Sequence, residues 1–328
     1  MPTPPLREDY PKMQEALDAW ARENNNYEAG ARRLNLAPGT FRHRVNVALA
    51  EGLTPFVEPQ KPRIRVPARS SPETGKPIRV LVWGCAHDAP DLPDKSRFRN
   101  AGLLAADLGP DYIVDLGDSL DLDSLSRHPV PGSQDDRDRP YFKAEIASLE
   151  EAYGAFDDAA PPPDQLPRYH LHGNHEQRAW KYEALHPTSQ GVFTTEIDQV
   201  FARYGWSIKN WSEWLFLGDV GFIHAPLNIM GREYGGKQAE NMILNETTFS
   251  VVWSHTHRHH FARRPKIGSG NWLASYNTGS MMPQGFIKQY ARLATTGWSY
   301  GVSELTLRDG QIESARFWSV LELQERYS

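Results

Sequence analysis

The sequence holds a single cysteine, Cys85, in 328 residues, so no disulfide can form within the chain. Such scarcity is typical of a reducing compartment, and we expect a cytoplasmic protein. No apolar run reaches the ~18 residues of a membrane-spanning helix. The first twelve residues lack the apolar core of a secretory signal. The sequence therefore predicts neither membrane insertion nor export.

The sequence also lacks an excess of positive charge, since 36 Lys and Arg face 41 Asp and Glu, a net charge of −5. This balance argues against binding to nucleic acid through overall charge, although a local basic patch is compatible with it. Residues 1–66 carry ten basic and eight acidic side chains, net +2, and the remainder 26 and 33, net −7. The small difference favours the N-terminal part for such a patch.

Three segments are expected: a helical domain over residues 1–53, a Pro-rich basic linker over 54–76, and an α/β domain over 77–328. In the first, short helices are predicted after Pro11, over Tyr27–Leu34, and over Phe41–Ala50 with Thr40 as N-cap. A helix, a tight turn and a second helix that opens with basic residues are the layout of a DNA-reading helix-turn-helix.

The candidate DNA-binding residues of this segment are Arg42 and Arg44, which would meet bases or phosphates in a major groove. The stretch is similar to helix-turn-helix modules of Fis-like and phage-regulator proteins. A small helical hairpin used for packing or oligomerisation is the alternative. If the DNA interpretation holds, the basic linker and a basic run near the last motif would follow the phosphate backbone (Arg258, Arg263, Arg264, Lys266).

From Ile78 onward short apolar runs alternate with helical stretches, which is typical of βαβ units. The predicted strands are Ile78–Trp83, Tyr112–Leu116, Arg168–Leu171, Trp214–Leu217, Gly221–Ile223, Ser250–Trp253, Ser303–Leu307 and Ile312–Trp318. Arg97–Leu108 and Phe142–Phe156 are predicted helices, and Arg127–Arg139 a surface loop or lid. The pattern predicts an α/β fold layered as an αββα sandwich.

Polar clusters follow five of these strands. They are Gly84-Cys85-Ala86-His87-Asp88, Gly117-Asp118-Ser119-Leu120-Asp121, Gly173-Asn174-His175-Glu176, His224, and Ser254-His255-Thr256-His257. The carboxyl ends of strands are where open α/β sheets build their sites. Asp, Asn and His together form a nitrogen and oxygen donor set suited to Mn, Fe or Zn. A single such cluster says little, but five in order indicate a metal site.

In this order the clusters resemble the motifs of the calcineurin-like metallophosphoesterase superfamily: Asp-x-His, Gly-Asp-x-x-Asp, Gly-Asn-His-Asp/Glu, a single His, and Gly-His-x-His. The resemblance covers about residues 78–320. It implies a four-layer αββα sandwich and two divalent ions, Mn, Fe or Zn. It also implies hydrolysis of a phosphate mono- or diester by a hydroxide held on those ions.

The resemblance further implies a role for each motif residue. His87 and His257 would bind the first ion, Asn174, His224 and His255 the second, and Asp118 both. His175, helped by Asp121, would protonate the leaving oxygen or steady the transition state, and Glu176 would orient His175. Arg178 would either contact a phosphate or be a solvated arginine on a helix surface.

Two residues depart from the family pattern. Ser254 replaces the glycine before His255, and Cys85 stands where the first motif has its metal-binding aspartate. Three interpretations of Cys85 are open. It is a thiolate ligand, which favours Zn or Fe; or Asp88 or a water fills the gap; or it is a small buried apolar residue and the first ion is weakened or lost.

The sequence says less about the identity of the substrate than about the type of reaction. The phosphate-cradling pattern Gly-x-x-x-x-Gly-Lys-Ser/Thr is absent. Gly117-Asp118-Ser119-Leu120-Asp121-Leu122-Asp123 lacks the Arg-Gly of the protein serine/threonine phosphatases. With the helix-turn-helix, this favours a DNA-directed nuclease or end-processing phosphatase. The alternatives are a phosphatase or phosphodiesterase acting on nucleotides or proteins, and a DNA-binding regulator with a degenerate metal site.

Overall fold

The computed structural model describes residues 9–23, 25–55, 75–266, 272–286 and 297–328. The chain forms two compact units, Met1–Ile64 and Arg65–Ser328. Most of the predicted linker, residues 56–74, lies outside the described residues, and so do its cations Lys61, Arg63, Arg65 and Arg69.

Ten α-helices and eleven strands lie in the described residues. The helices are α1 (Tyr10–Arg22), α2 (Tyr27–Arg33), α3 (Pro38–Ala50), α4 (Ser96–Leu108), α5 (Gln134–Arg137), α6 (Phe142–Asp157), α7 (Gln177–Leu185), α8 (Phe193–Arg203), α9 (Ala239–Glu246) and α10 (Val320–Tyr327). The strands are β1 (Ile78–Trp83), β2 (Tyr112–Asp115), β3 (Arg168–Leu171), β4 (Trp206–Lys209), β5 (Leu215–Leu217), β6 (Val220–Phe222), β7 (Val251–Trp253), β8 (His259–Pro265), β9 (Trp272–Thr278), β10 (Gly301–Arg308) and β11 (Gln311–Ser319).

The N-terminal unit is a small three-helix bundle. Helices α1, α2 and α3 pack on one another around Leu17, Phe41 and Val45, which are all fully buried. The third helix begins at Pro38, so the predicted N-cap Thr40 is wrong. A proline fits the first turn because its fixed φ is helical and its missing N–H would have no helical partner there.

The second unit contains two mixed β-sheets. In the first, the strand order is β11-β10-β1-β2-β3-β4. Strands β1 to β4 are parallel, and β10 is antiparallel to both of its neighbours, β1 and β11. In the second, the order is β5-β6-β7-β9-β8, with β6, β7 and β9 parallel. Parallel neighbours bring the carboxyl ends of their strands to one edge, and this edge carries the motifs.

Alternate residues of β1 show how the layers stack. Val80 and Val82 pack in one apolar cluster with Phe222 and Val252 of the second sheet. Leu81 and Trp83 point to the other face, into a cluster with residues of α4, α6 and α8. The second sheet has its own outer cluster, in which Ile243 of α9 packs near Trp253. Helices therefore cover the outer face of each sheet, and the two sheets pack on each other.

The structure confirms most of the predicted elements and adds others. The predicted bounds of β1 and β3 match, and the remaining predicted strands differ by one or two residues at one end or both. Strands β4, β8 and β9 had no predicted counterpart. The segment predicted as a loop over Arg127–Arg139 contains the one-turn helix α5, capped by the side chain of Ser133. Within the described residues, no helix combines the length and apolar character needed to cross a membrane.

Candidate metal centre

All five motif loops follow a strand at its carboxyl end. Cys85 and His87 come after β1, Asp118 and Asp121 after β2, Asn174, His175 and Glu176 after β3, His224 after β6, and His255 and His257 after β7. The loops interlock through their main chains, because Cys85 N donates to Gly117 O at 2.8 Å and His87 N donates to Asp118 O at 2.9 Å. Ser254 N likewise donates to His224 O at 3.0 Å.

Five of the site residues have left-handed backbone, which is uncommon outside glycine. Their φ angles are 53° at Cys85, 45° at His87, 52° at Asp118, 73° at His255 and 60° at His257. Such conformations cost energy and concentrate at functional sites, where the surrounding structure enforces them. The backbone therefore points to the same loops as the motifs do.

One part of the site is formed by Cys85, His87 and His257, whose ligand atoms lie within 4.8 Å of one another. His87 Nε2 faces His257 Nε2 at 3.0 Å, and Asp118 Oδ2 lies 3.9 Å from His87 Nε2. The other ring nitrogen of His87, Nδ1, is 3.0 Å from Asp121 Oδ1. That carboxylate accepts a hydrogen bond from Nδ1–H, which leaves the Nε2 lone pair directed into the site.

The other part is formed around Asn174. Its Oδ1 lies 3.1 Å from His224 Nε2 and 2.9 Å from His255 Nδ1. Asp118 Oδ2 lies 3.2 Å from His224 Nε2, which places Asp118 between the two parts. His224 Nδ1 donates to Leu116 O at 2.7 Å, which directs its Nε2 into the site. Asn174 and His255 are half-buried, so this part is the more accessible.

Burial keeps two of these imidazoles neutral. It lowers the pKa of His257 to about 3 and that of His255 to about 4. His224 differs, because the Asp118 carboxylate raises its pKa above the ordinary value despite burial. Burial also tends to raise the pKa of Asp118, but His224 and His175 lower it well below its usual range. Neutral imidazole and ionised carboxylate are the metal-binding forms.

These residues form a donor set that suits divalent metal ions. The donor atoms are imidazole nitrogens, carboxylate and amide oxygens and one thiol sulfur, all buried or half-buried. Several of their polar atoms already meet near 3 Å, as at His224 Nε2 and Asn174 Oδ1, so one cation could bind both. The structure therefore brings together all seven residues that the sequence predicted as ligands.

His175 lies beside this donor set. Its Nδ1 is 2.8 Å from Asp121 O and 3.6 Å from Asp121 Oδ1, and its backbone N donates to Asp118 Oδ1 at 2.8 Å. Arg178 Nη2 lies 3.5 Å from His175 Nε2, and Arg178 Nη1 donates to Asp121 O at 2.7 Å. Burial, together with the nearby Arg178 charge, lowers the pKa of His175 to about 4. Arg178 is thus part of the site rather than solvated.

The expected role of Glu176 needs correction. Its carboxylate accepts hydrogen bonds from the backbone N–H groups of Asp118, Ser119 and Gly173 at 2.7–2.9 Å, and from Leu120 at 3.3 Å. No such bond joins it to the His175 side chain among the contacts of the described residues. Glu176 therefore fixes the loop that carries Asp118, and Asp121 orients His175.

Cys85 lies in the donor set, and Asp88 does not. Cys85 Sγ belongs to the group with His87 and His257 and also to a group with Asp118 and His224. Asp88 instead accepts hydrogen bonds from Lys95 at 2.7 Å, from Ser148 at 2.6 Å and from Arg97. This geometry is against the interpretation in which Asp88 fills the gap. Burial, reinforced by the Asp118 charge, raises the pKa of the Cys85 thiol well above its usual value.

Of the candidate DNA-binding residues, Arg42 is exposed on α3 and Arg44 is half-buried. The Arg42 guanidinium lies 5.1 Å from the centre of the Tyr27 ring. In the basic run near the last motif, Arg258 donates to Gly236 O, Arg263 to Ile312 O at 2.6 Å and Lys266 to Leu244 O at 2.7 Å. Three of these four cations thus serve the fold.

Sequence reasoning missed residues that support the loops. Asp115, fully buried, accepts from Gly117 N at 2.9 Å and Ser119 Oγ at 2.6 Å, and lies 3.0 Å from His170 Nδ1. Trp298 packs edge-on against His257, with ring centres 4.4 Å apart. The position of Asp115 at the end of an apolar strand was a sequence signal that it supports the site. Trp298 has no such signal in the sequence.

Comparison with known proteins shows only weak similarity. No protein-family model matches the chain, and no curated protein matches it. Among solved structures, the chain is similar to Vps29 of Cryptosporidium parvum (16% identity, 74% of this chain and 98% of that one, TM-score 0.34). It is also similar to wild-type Vps29 of Entamoeba histolytica complexed with zinc (12% identity, 73% of this chain and 97% of that one, TM-score 0.31). A third similar structure is TT1561 of Thermus thermophilus (13% identity, 62% of this chain and 90% of that one, TM-score 0.24). Values this low leave the chain's own geometry to define its site.

Proposed function

We propose that this chain is a metal-dependent phosphoesterase of the calcineurin-like αββα type, directed to DNA. The observation that carries the proposal is the convergence of seven donor side chains from five strand-end loops. Cys85, His87 and His257 would hold one divalent ion and Asn174, His224 and His255 the other. Asp118, which lies between them, would contact both.

The chain's own residues complete the chemistry. When bound, two divalent ions supply Lewis acidity toward a phosphoryl group. His175 Nδ1 donates to Asp121 O, so its Nε2 lies beside Arg178 and is the atom at which His175 would take up a proton and pass it to the leaving oxygen. Arg178, 3.5 Å from that nitrogen, places positive charge where an ester oxygen becomes negative.

The DNA direction rests on the N-terminal unit. Helices α2 and α3 are joined by a four-residue turn, and α1 packs on both. Arg42 and His43 are exposed near the start of α3, where a recognition helix meets base edges. A second candidate is a phosphodiesterase for small phosphate esters, since three cations of the basic run bond to backbone carbonyls.

The test is hydrolysis by the full chain with Mn²⁺ or Zn²⁺, using bis-p-nitrophenyl phosphate, linear DNA, RNA and nucleotides as substrates. We expect turnover of the model diester and of DNA, reduced by about 10²–10⁴-fold in His175→Ala because the proton donor is lost. The exposed His186→Ala is the matched control and should retain activity. No turnover of any ester with any metal would refute the enzyme, and turnover of nucleotides alone would favour the second candidate.

A further inference from the structure

The two residues that depart from the family pattern touch each other. Cys85 Sγ lies 3.1 Å from Ser254 Oγ, and both side chains are fully buried. We infer that Ser254 is a positioning residue that holds the Cys85 sulfur in place as a cation ligand. This inference rests on the proposed function, because it assumes that the donor set binds metal.

The hydrogen bonds around Ser254 have a defined direction. Ser254 Oγ donates to Gly279 O at 2.9 Å, which uses its only proton. The contact with Cys85 must then have the thiol as donor and Ser254 Oγ as acceptor. The backbone N–H of His255 donates to the same sulfur at 3.2 Å. Two neighbouring residues of one motif loop therefore fix the sulfur of another.

Packing around Gly84 ties the same residues together. A Cβ built on Gly84 would lie 2.7 Å from Ser254 Oγ and 2.8 Å from Ser254 Cβ. Real Cβ atoms do not approach so closely, so a serine at position 254 requires a glycine at position 84. The Ser254 side chain thus fills the space above the turn into Cys85. Because Cys85 has a φ of 53°, this support also helps to hold a strained conformation.

Cys85 binds a cation by losing its thiol proton. The S–H bond of Cys85 breaks, the proton goes to solvent, and the sulfur lone pair binds the cation. The Ser254 hydroxyl can then turn from Gly279 O to donate to the thiolate, beside the His255 N–H. Hydrogen bonds to a ligating atom typically change metal affinity by about 10–100-fold when they are removed. The sulfur should also favour Zn²⁺ or Co²⁺ over Mn²⁺.

The experiment is a Co²⁺ titration of the full chain followed by absorption, because a thiolate bound to Co²⁺ gives a sulfur-to-metal charge-transfer band. The variants are Cys85→Ser, Ser254→Ala, the double variant, and Ser250→Ala. The control is Ser250, a fully buried serine directly before β7, the strand that Ser254 follows. Ser250 Oγ accepts a hydrogen bond from Ala274 N at 3.2 Å. Far-UV circular dichroism and melting temperature show that each variant folds.

We expect the band in the wild type and in Ser250→Ala, and none in Cys85→Ser. Ser254→Ala should keep a shifted band with about tenfold weaker affinity, and the same change in the Cys85→Ser background should have little effect. An unchanged band and affinity in Ser254→Ala would overturn the inference alone. If the wild type bound cobalt without a charge-transfer band, the inference about Ser254 and Cys85 would be overturned but the proposed metal centre would not. No cobalt or zinc binding would overturn both.

Discussion

At the scale of single residues, the Glu176 carboxylate is one of the most heavily bonded groups near the centre. It accepts four backbone N–H groups, from Gly173 and from three successive residues of the Asp118 loop. A carboxylate has about four acceptor positions, so all are used here. The position of Asp118, which contacts both parts of the donor set, thereby depends on a residue outside that set.

Glu176→Gln tests this dependence. The amide nitrogen cannot accept a hydrogen bond, so two buried N–H groups lose their partner. We expect the free energy of unfolding to fall by about 2–6 kcal/mol, since each of the two unsatisfied buried donors costs roughly 1–3 kcal/mol. Urea unfolding measures the change, and the exposed Glu151→Gln is the control. Equal midpoints for the two variants would show that the Glu176 charge is not needed by the loop.

Glu145 on α6 gives a pH dependence. Burial raises its pKa to about 7, although Ser124 Oγ and the N–H of Asp123 donate to it. Because the folded pKa exceeds the unfolded one, the folded state binds the extra proton between about pH 4.5 and pH 7. The stability contributed by that proton is present below this window and is lost as the pH rises through it.

Glu145→Gln should flatten this dependence, since the amide does not titrate. In the wild type Glu145 contributes a fall of at most about 1.4 kcal/mol per pH unit in the window. The measurement is urea unfolding at pH 5, 6, 7 and 8 for both proteins, with Glu151→Gln as control. The difference between the two stability curves isolates Glu145 from other titrating groups. Parallel curves would contradict a raised pKa at this site.

At the scale of elements, the α2–α3 contact depends on a missing side chain. A Cβ on Gly30 would lie 2.4 Å from Cζ of Phe41, so α2 approaches α3 closely only because position 30 is glycine. Gly30→Ala should therefore destabilise the bundle by about 1–3 kcal/mol, as overpacking does. Hydrogen exchange of residues 25–55 in the full chain measures this locally.

Gly39→Ala is the matched control, since nothing lies within 4 Å of a Cβ at Gly39 in α3. There the added methyl should slow exchange or leave it unchanged, because alanine favours helix by up to about 1 kcal/mol over glycine. Faster exchange in both variants, or in neither, would be inconsistent with the packing described for Phe41.

The sequence could predict the elements that carry strong local signals. Strand β1 has four successive apolar residues, 80–83, directly before a glycine, and its predicted bounds match the structure. Strands β8 and β9 were missed because β8 is half-exposed and rich in His and Arg, so its pairing with β9 gives no apolar run. The start of α3 was misplaced because Thr40 is a good cap, whereas Pro38 fits the first helical turn.

The candidate site, too, could be predicted only where the local sequence carries a signal. Its donor residues could be predicted because each comes directly after a strand, and the order of the strands brings them to one edge. The partners of those residues could not, since they depend on distances between loops. Glu176 was expected to orient His175, but it lies against the N–H groups of the Asp118 loop. The contact between Ser254 and Cys85 spans 169 residues and leaves no local pattern.

At the scale of the whole molecule, charge divides along the chain. Residues 1–66 have a net charge of +2 and the rest −7, so an anionic polymer would be attracted to the first part and repelled by the second. Binding to DNA, if the proposal is right, should depend on a few cations of the helical unit. Arg42, exposed and stacked on the Tyr27 ring, is the one best placed.

Arg42→Ala should weaken DNA binding by the full chain and lower its dependence on salt. Each phosphate contact contributes about 0.9 to the slope of log affinity against log salt concentration, so loss of one contact should reduce the slope by about that amount. Fluorescence anisotropy with a labelled duplex at several salt concentrations measures both quantities. Arg99→Ala, an exposed arginine of α4 in the second unit, is the control and should change neither. If Arg42→Ala binds DNA as the wild type does, or the wild type binds none at low salt, the helical unit is a packing or assembly element.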